Sequence, residues 1–151
     1  MVKPYRIVEQ FRDDYLISTD PSKLNLDVVF DYLTNESYWA CGRPRDVFDC
    51  SIENSLNFGI FFGDNQIGFA RVVTDRATFA WICDVFVLPA HRGKGIASWM
   101  IESILKHPDL QGLRSYFLAT RDAHALYAQF GFKSLEDPSR FMMIRKPTPY
   151  R

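Results

Sequence analysis

Apolar positions recur along this chain with two different periods, and each change of period marks an element. Leu26, Val29, Phe30 and Leu33 follow the i, i+3, i+4, i+7 spacing of an amphipathic helix. A second helix is expected from about Pro44, a residue suited to a first helical turn, through Val47, Phe48 and Ile52 to about Ser55. Between them lies the aromatic loop Tyr38-Trp39-Ala40-Cys41-Gly42. Strand-like runs occupy 15–18, 57–62 and 66–73, the last two joined by the turn formers Gly63, Asp64 and Asn65. A third long run, 78–88, stops at Pro89. Helical spacing resumes in Ile96, Met100, Ile101, Ile104 and Leu105, and Pro108 prevents continuation. Residues 113–119 read as a strand, and Asp122 is placed to cap a short helix reaching Phe130, with Gly131 past its end. The segments 132–135 and 141–144 are expected to be a closing pair of strands.

This order predicts an α+β (mixed α/β) fold with about six or seven strands and about four helices, in a single domain spanning residues 1–151 without repeat or linker. The strands on either side of the 96–105 helix are expected to run parallel. Composition narrows the picture. With 47% apolar and 15% aromatic residues the chain is not disordered, and 18 basic against 18 acidic residues leave no net field to gather nucleic acid or an acidic membrane. Cys41, Cys50 and Cys83 are widely spaced, which argues against a disulfide framework and against a metal site. No apolar run approaches 18 residues, so a cytoplasmic protein is expected.

Chemistry concentrates in Val87-Leu88-Pro89-Ala90-His91-Arg92-Gly93-Lys94-Gly95-Ile96-Ala97, a strand that turns through glycines straight into a helix. The first amides of a helix lack intrahelical partners and sit at its positive end, so such a loop can wrap a phosphate or pyrophosphate. It also reads as no more than a tight helix start. A nucleotide P-loop and a Gly-x-Gly-x-x-Gly fingerprint are both missing.

Arg92, Gly95 and Ala97 have the Arg/Gln-x-x-Gly-x-Gly/Ala spacing of acetyl-CoA-dependent N-acetyltransferases, and the chain resembles that GNAT superfamily. Two more segments resemble it: the strand ending Asp84-Val85-Phe86-Val87-Leu88-Pro89, and Ala125-Leu126-Tyr127-Ala128-Gln129-Phe130-Gly131-Phe132, where a Tyr precedes Gly-Phe. The resemblance extends from about Tyr15 to Ile144. It implies a mostly antiparallel, partly splayed sheet with acetyl-CoA as co-substrate and no metal. Pyrophosphate would be held by Arg92, Gly93, Lys94, Gly95, Ile96 and Ala97, and the pantetheine arm would pair with the strand near Phe86 and Val87, beside a bulge expected near Cys83 to Val85. A strand amide there would polarise the thioester carbonyl.

By the same resemblance Tyr127 is the acid that protonates the departing thiolate. Thr120 stands where family members often have an Asn near coenzyme A. His124 either tunes Tyr127 or faces solvent. Asp84, isolated in an apolar strand, has two readings: it receives the amine's proton through water, or it bonds to bulge amides or a core Tyr. Tyr38, Trp39 and Phe48 are the expected wall of the acceptor pocket, with Asp46, Asp49 and Glu53 available to attract an ammonium. Cys83, with no His nearby in sequence, is expected to be a small buried hydrophobe and not a nucleophile.

The expected activity is acetyl transfer to a primary amine of a small molecule by direct attack. Acetylation of a protein N-terminus or lysine is an alternative, and a non-catalytic acyl-CoA sensor a third. A homodimer is compatible with the family pattern and with the 13 phenylalanines.

Overall fold

A charged hairpin starts the sheet: β1 (Glu9–Arg12) pairs antiparallel with β2 (Tyr15–Ser18) across a two-residue turn in which Asp13 takes φ 52°. The computed structural model describes residues 2–147 and 150. Hydrophobic periodicity misses β1 because Glu9, Gln10 and Arg12 surround a single Phe11. Such polarity suits an edge strand, where charge discourages pairing with another chain.

α1 (Leu26–Asn35) begins at Asn25, whose side chain accepts the Val28 amide, and α2 (Arg45–Glu53) begins behind Pro44. The meander β3 (Leu56–Phe62), β4 (Asn65–Thr74) and β5 (Phe79–Val87) follows, then α3 (Ile96–Lys106), β6 (Ser115–Leu118) and α4 (His124–Ala128). The six strands lie in chain order in one sheet, antiparallel except for the parallel β5–β6 pair that α3 connects. This is the expected α+β architecture.

Strands β4 and β5 send side chains to two cores, one on each face of the sheet. Val72, Ala80 and Ile82 pack with Trp99, Met100 and Ile104 of α3 on one face, while Phe69 and Phe86 meet Val29, Leu33 and Phe48 of α1 and α2 on the other. Full burial of a side chain of this size is worth about 1.5–3 kcal/mol.

The C-terminal region departs from the pattern. Segments 132–135 and 141–144 form no strand, and Met142 and Ile144 are almost fully exposed. The run Phe141-Met142-Met143-Ile144 has no alternation to choose a face, and the turn Pro138–Arg140 interrupts the approach to β6. Asp122 does not cap α4. The Thr120 hydroxyl accepts the Ala123 amide at 3.1 Å instead, so the turn is held two residues earlier. Among the described residues no helix is long and apolar enough to cross a membrane.

Candidate active site

Strand β5 changes register beside the site. Phe69 pairs with Phe86 and Arg71 with Cys83, so the single Ala70 lies across from two residues, Asp84 and Val85. This two-against-one step is a β-bulge, and Asp84 occupies it with φ 54°. The bulge turns Cys83 and Asp84 toward one cavity of about 750 Å³, although neighbours in a regular strand face opposite ways. Pairing with β6 ends at Ile82 and Leu118, so residues 83–87 part from that strand. Into the resulting wedge open the chain from Ala119 to Ala123 and the Tyr127 side chain.

Past the strand end, Gly93 and Gly95 take φ 79° and 76°, the left-handed conformation that costs glycine least. Gly95 is the N-cap of α3, and a Cβ there would project into open space. The amides of Gly93, Lys94, Gly95, Ile96 and Ala97 donate to no acceptor among the described residues. Five successive free donors at the positive end of an eleven-residue helix, without side chains over two of them, fit a pyrophosphate. The Arg92 amide is not part of this set, because it bonds to the Pro89 carbonyl at 3.3 Å. Its guanidinium works through the protein as well: Nε donates to the Val87 carbonyl at 2.8 Å and Nη2 to the Tyr32 hydroxyl at 3.0 Å, tying the loop to β5 and α1. Phe86 is buried and stacks on Tyr32 at 4.0 Å, so it offers a ligand backbone and no side chain.

Asp84 is only 4% exposed, and neither bulge amides nor a tyrosine hold it. Arg43 Nη1 and Arg71 Nε both donate to its Oδ2 at 2.8 Å, and Trp39 Nε1 donates to Oδ1 at 2.9 Å. Burial raises its pKa, but the Arg43 hydrogen bonds and the charges of both arginines outweigh that and hold the carboxyl below its usual range. The carboxylate therefore keeps three donor side chains in place through four hydrogen bonds and is a weak base. Arg43 is a partner that sequence alone did not single out; the signal available was the cost of burying a lone carboxylate, which demands a cation from elsewhere in the chain.

Tyr127 reaches the same cavity from α4 and packs edge-on against Phe132 at 5.8 Å. Burial first, then the nearby Tyr38 and Cys83, push its pKa up to about 12, so it is a phenol at any physiological pH. Its hydroxyl has no hydrogen-bond partner among the described residues. Burial likewise pushes the Cys83 thiol up to about 11, which leaves little thiolate for nucleophilic chemistry. Tyr38 and Trp39 line the cavity, their rings edge to face at 5.0 Å. Phe48 does not. It is fully buried between α1 and the sheet, at 5.4 Å from Phe30, and is a core residue. Asp49 is paired with Arg45 on the surface, and His124 is exposed beside a neighbouring groove.

Proteins similar to this chain are described as acetyltransferases. The acetyltransferase (GNAT) family model matches residues 22–132. A Gibberella zeae protein assigned as an acetyltransferase is 31% identical over 78% of this chain and 78% of its own. A crystal structure from Xanthomonas campestris pv. campestris, assigned to the GNAT family, is 43% identical, covers 90% of this chain and 96% of that one, and superposes with a TM-score of 0.87. An Elizabethkingia anophelis GNAT acetyltransferase with acetyl-CoA bound has the same fold at 13% identity and a TM-score of 0.61, covering 81% of this chain and 78% of that one. The family match spans the bulged strand, the glycine loop and the tyrosine-bearing helix together, and the chain belongs to the GNAT family of acetyltransferases.

Proposed function

We propose that this acetyltransferase moves the acetyl group of acetyl-CoA to the primary amine of a small molecule by direct attack. The observation that carries the reading is the juxtaposition, around one cavity, of Cys83, Asp84 and Val85 on the parted strand and the unpartnered Tyr127 hydroxyl, with the free amides of 93–97 beyond the strand end. Acetyl-CoA supplies the thioester. The Gly93–Ala97 amides hold its pyrophosphate, and the β5 backbone beyond Ile82 offers donors to the pantetheine arm and the thioester carbonyl. The amine nitrogen attacks the carbonyl carbon and the carbon–sulfur bond breaks. Tyr127 gives its proton to the sulfur and regains one from the acylated nitrogen, so the phenol is restored each turn. Thr120 shapes the approach by holding the turn before α4. A cytoplasmic setting belongs to the same reading and is supported by the free state of Cys41, Cys50 and Cys83. The cavity is walled by Tyr38 and Trp39, which favours a small acceptor over a protein chain.

Thiol release from acetyl-CoA, screened over amines, tests transfer. Tyr127→Phe is expected to lower turnover by roughly ten- to a thousandfold with acetyl-CoA affinity nearly unchanged, because only a proton donor is lost. Unchanged turnover, with chemistry shown to be rate-limiting, returns Tyr127 to the core.

A further inference from the structure

The charge of the cavity wall is lopsided. Arg43, Arg71, Arg121, Arg145 and Lys146 face it, against Asp84 and Asp122 among the described residues. The Asp122 side chain is 67% exposed and 4.0 Å from Arg121, so water screens it. Deeper in, one carboxylate serves two guanidiniums whose side chains are 10% and 14% exposed, leaving a net positive charge where water is scarce. Arg71 spends Nε on Asp84 and Nη1 on Ser55, while its Nη2 has no partner among the described residues. Arg121 lies over the Tyr38 ring at 3.7 Å, at the mouth of the same cavity.

Resting on the acetyl-transfer reading, we infer that the acceptor is a primary amine that also carries an anionic group, a carboxylate or a phosphate, met by Arg71 inside and Arg121 at the rim. A guanidinium presents paired donors in the plane that either anion needs. Polyamines and other polycations are disfavoured by the same charges. The surplus also acts on the nucleophile. Near a net positive wall an ammonium loses its proton more readily, so the acceptor amine becomes neutral closer to physiological pH. This accounts for a site whose buried carboxylate is fully engaged with donors and poorly suited to be the base.

Matched acceptors test the inference: amino acids against their carboxamides, and phosphoethanolamine against ethanolamine, with thiol release as the readout. The anionic member of at least one pair is expected to have kcat/KM about ten- to a hundredfold higher, and the pair that shows it tells carboxylate from phosphate. Arg71→Gln also strips a partner from Asp84, so the exposed Arg121→Gln is the safer variant. It should narrow that ratio severalfold, mainly through KM of the anionic acceptor. Acetyl-CoA titration by calorimetry separates this from damage to the coenzyme site. Equal or better use of the neutral members or of polyamines overturns the inference and leaves acetyl transfer standing, as does a ratio that Arg121→Gln and Arg71→Gln both leave unchanged. If acetyl-CoA binds but no amine of either charge releases thiol, acetyl transfer itself fails, and this inference with it.

Discussion

The 93–97 loop and the cluster around Asp84 are joined by the last residues of β5, yet they present opposite chemistry. The loop offers a row of backbone amides, free of partners among the described residues, in a conformation set by two glycines. The cluster is made of side chains: a carboxylate, two guanidiniums and an indole, drawn from the α1–α2 connection and from two neighbouring strands, with the three charged groups largely buried. Backbone donors tolerate nearly any side chain around them, so what matters there is room and φ. Buried charges tolerate nothing, because each one removed leaves another unpaired.

The largest effect is therefore expected in the cluster, and on stability. Asp84→Asn keeps the volume but leaves Arg43 and Arg71 facing a neutral amide, which should cost about 3–5 kcal/mol in urea unfolding. The pH dependence has a definite sign. Asp84 titrates lower when folded than when unfolded, so its contribution is present above the unfolded value, near 3.9, and is lost as pH falls through the folded value. Wild type should lose stability on the acid side below about pH 4, and the variant should show a flatter acid limb. A loss under about 1 kcal/mol with an unaltered acid limb would mean that solvent shields the two arginines, and the contrast between the regions would collapse.

In the loop the same kind of change should act on binding instead. Gly95→Val places a β-branched residue at φ 76°, at a strain of about 1–3 kcal/mol, and projects methyl groups where the pyrophosphate approaches. Coenzyme A affinity measured by calorimetry is expected to fall roughly a hundredfold, since several charge-assisted hydrogen bonds are lost together. Affinity equal to wild type in a folded variant would remove the loop from the site.

The contrast also explains what could be read from the sequence. The loop is local: Arg92, Gly95 and Ala97 fall within six residues, between a strand and a helix that periodicity identifies independently. The bulge was legible too, because the family resemblance requires this strand to part from its neighbour and the 78–88 run is long enough to hold one. The partners of Asp84 were not, because Arg43 and Arg71 lie 41 and 13 residues away, and although Arg71 is also a lone charge in an apolar strand, nothing local says which cation meets which carboxylate. Phe48 misleads for the converse reason. It neighbours the aromatic loop in sequence, but the turn of α2 directs it to the core. The missing closing strands and the unforeseen β1 share one cause: at the margins of a sheet, pairing is decided by the neighbouring strand and not by the alternation of the segment itself.

Arg92 allows the finest test, because it is a side chain inside the backbone-built region. The family spacing makes it look like a phosphate ligand, whereas its guanidinium is turned back to the Val87 carbonyl and the Tyr32 hydroxyl. Arg92→Gln should thus act by loosening the loop. We expect a stability loss of about 1 kcal/mol, from two hydrogen bonds only partly replaced by water. Coenzyme A affinity should fall only severalfold, and equally for coenzyme A and for a fragment retaining the pantetheine and pyrophosphate but lacking the 3′-phosphate. A direct phosphate contact predicts a steeper fall with no loss of stability, and a shallower dependence of binding on salt. Measuring affinity at two ionic strengths distinguishes the outcomes: an unchanged salt slope assigns Arg92 to holding the strand end, where the five free amides start.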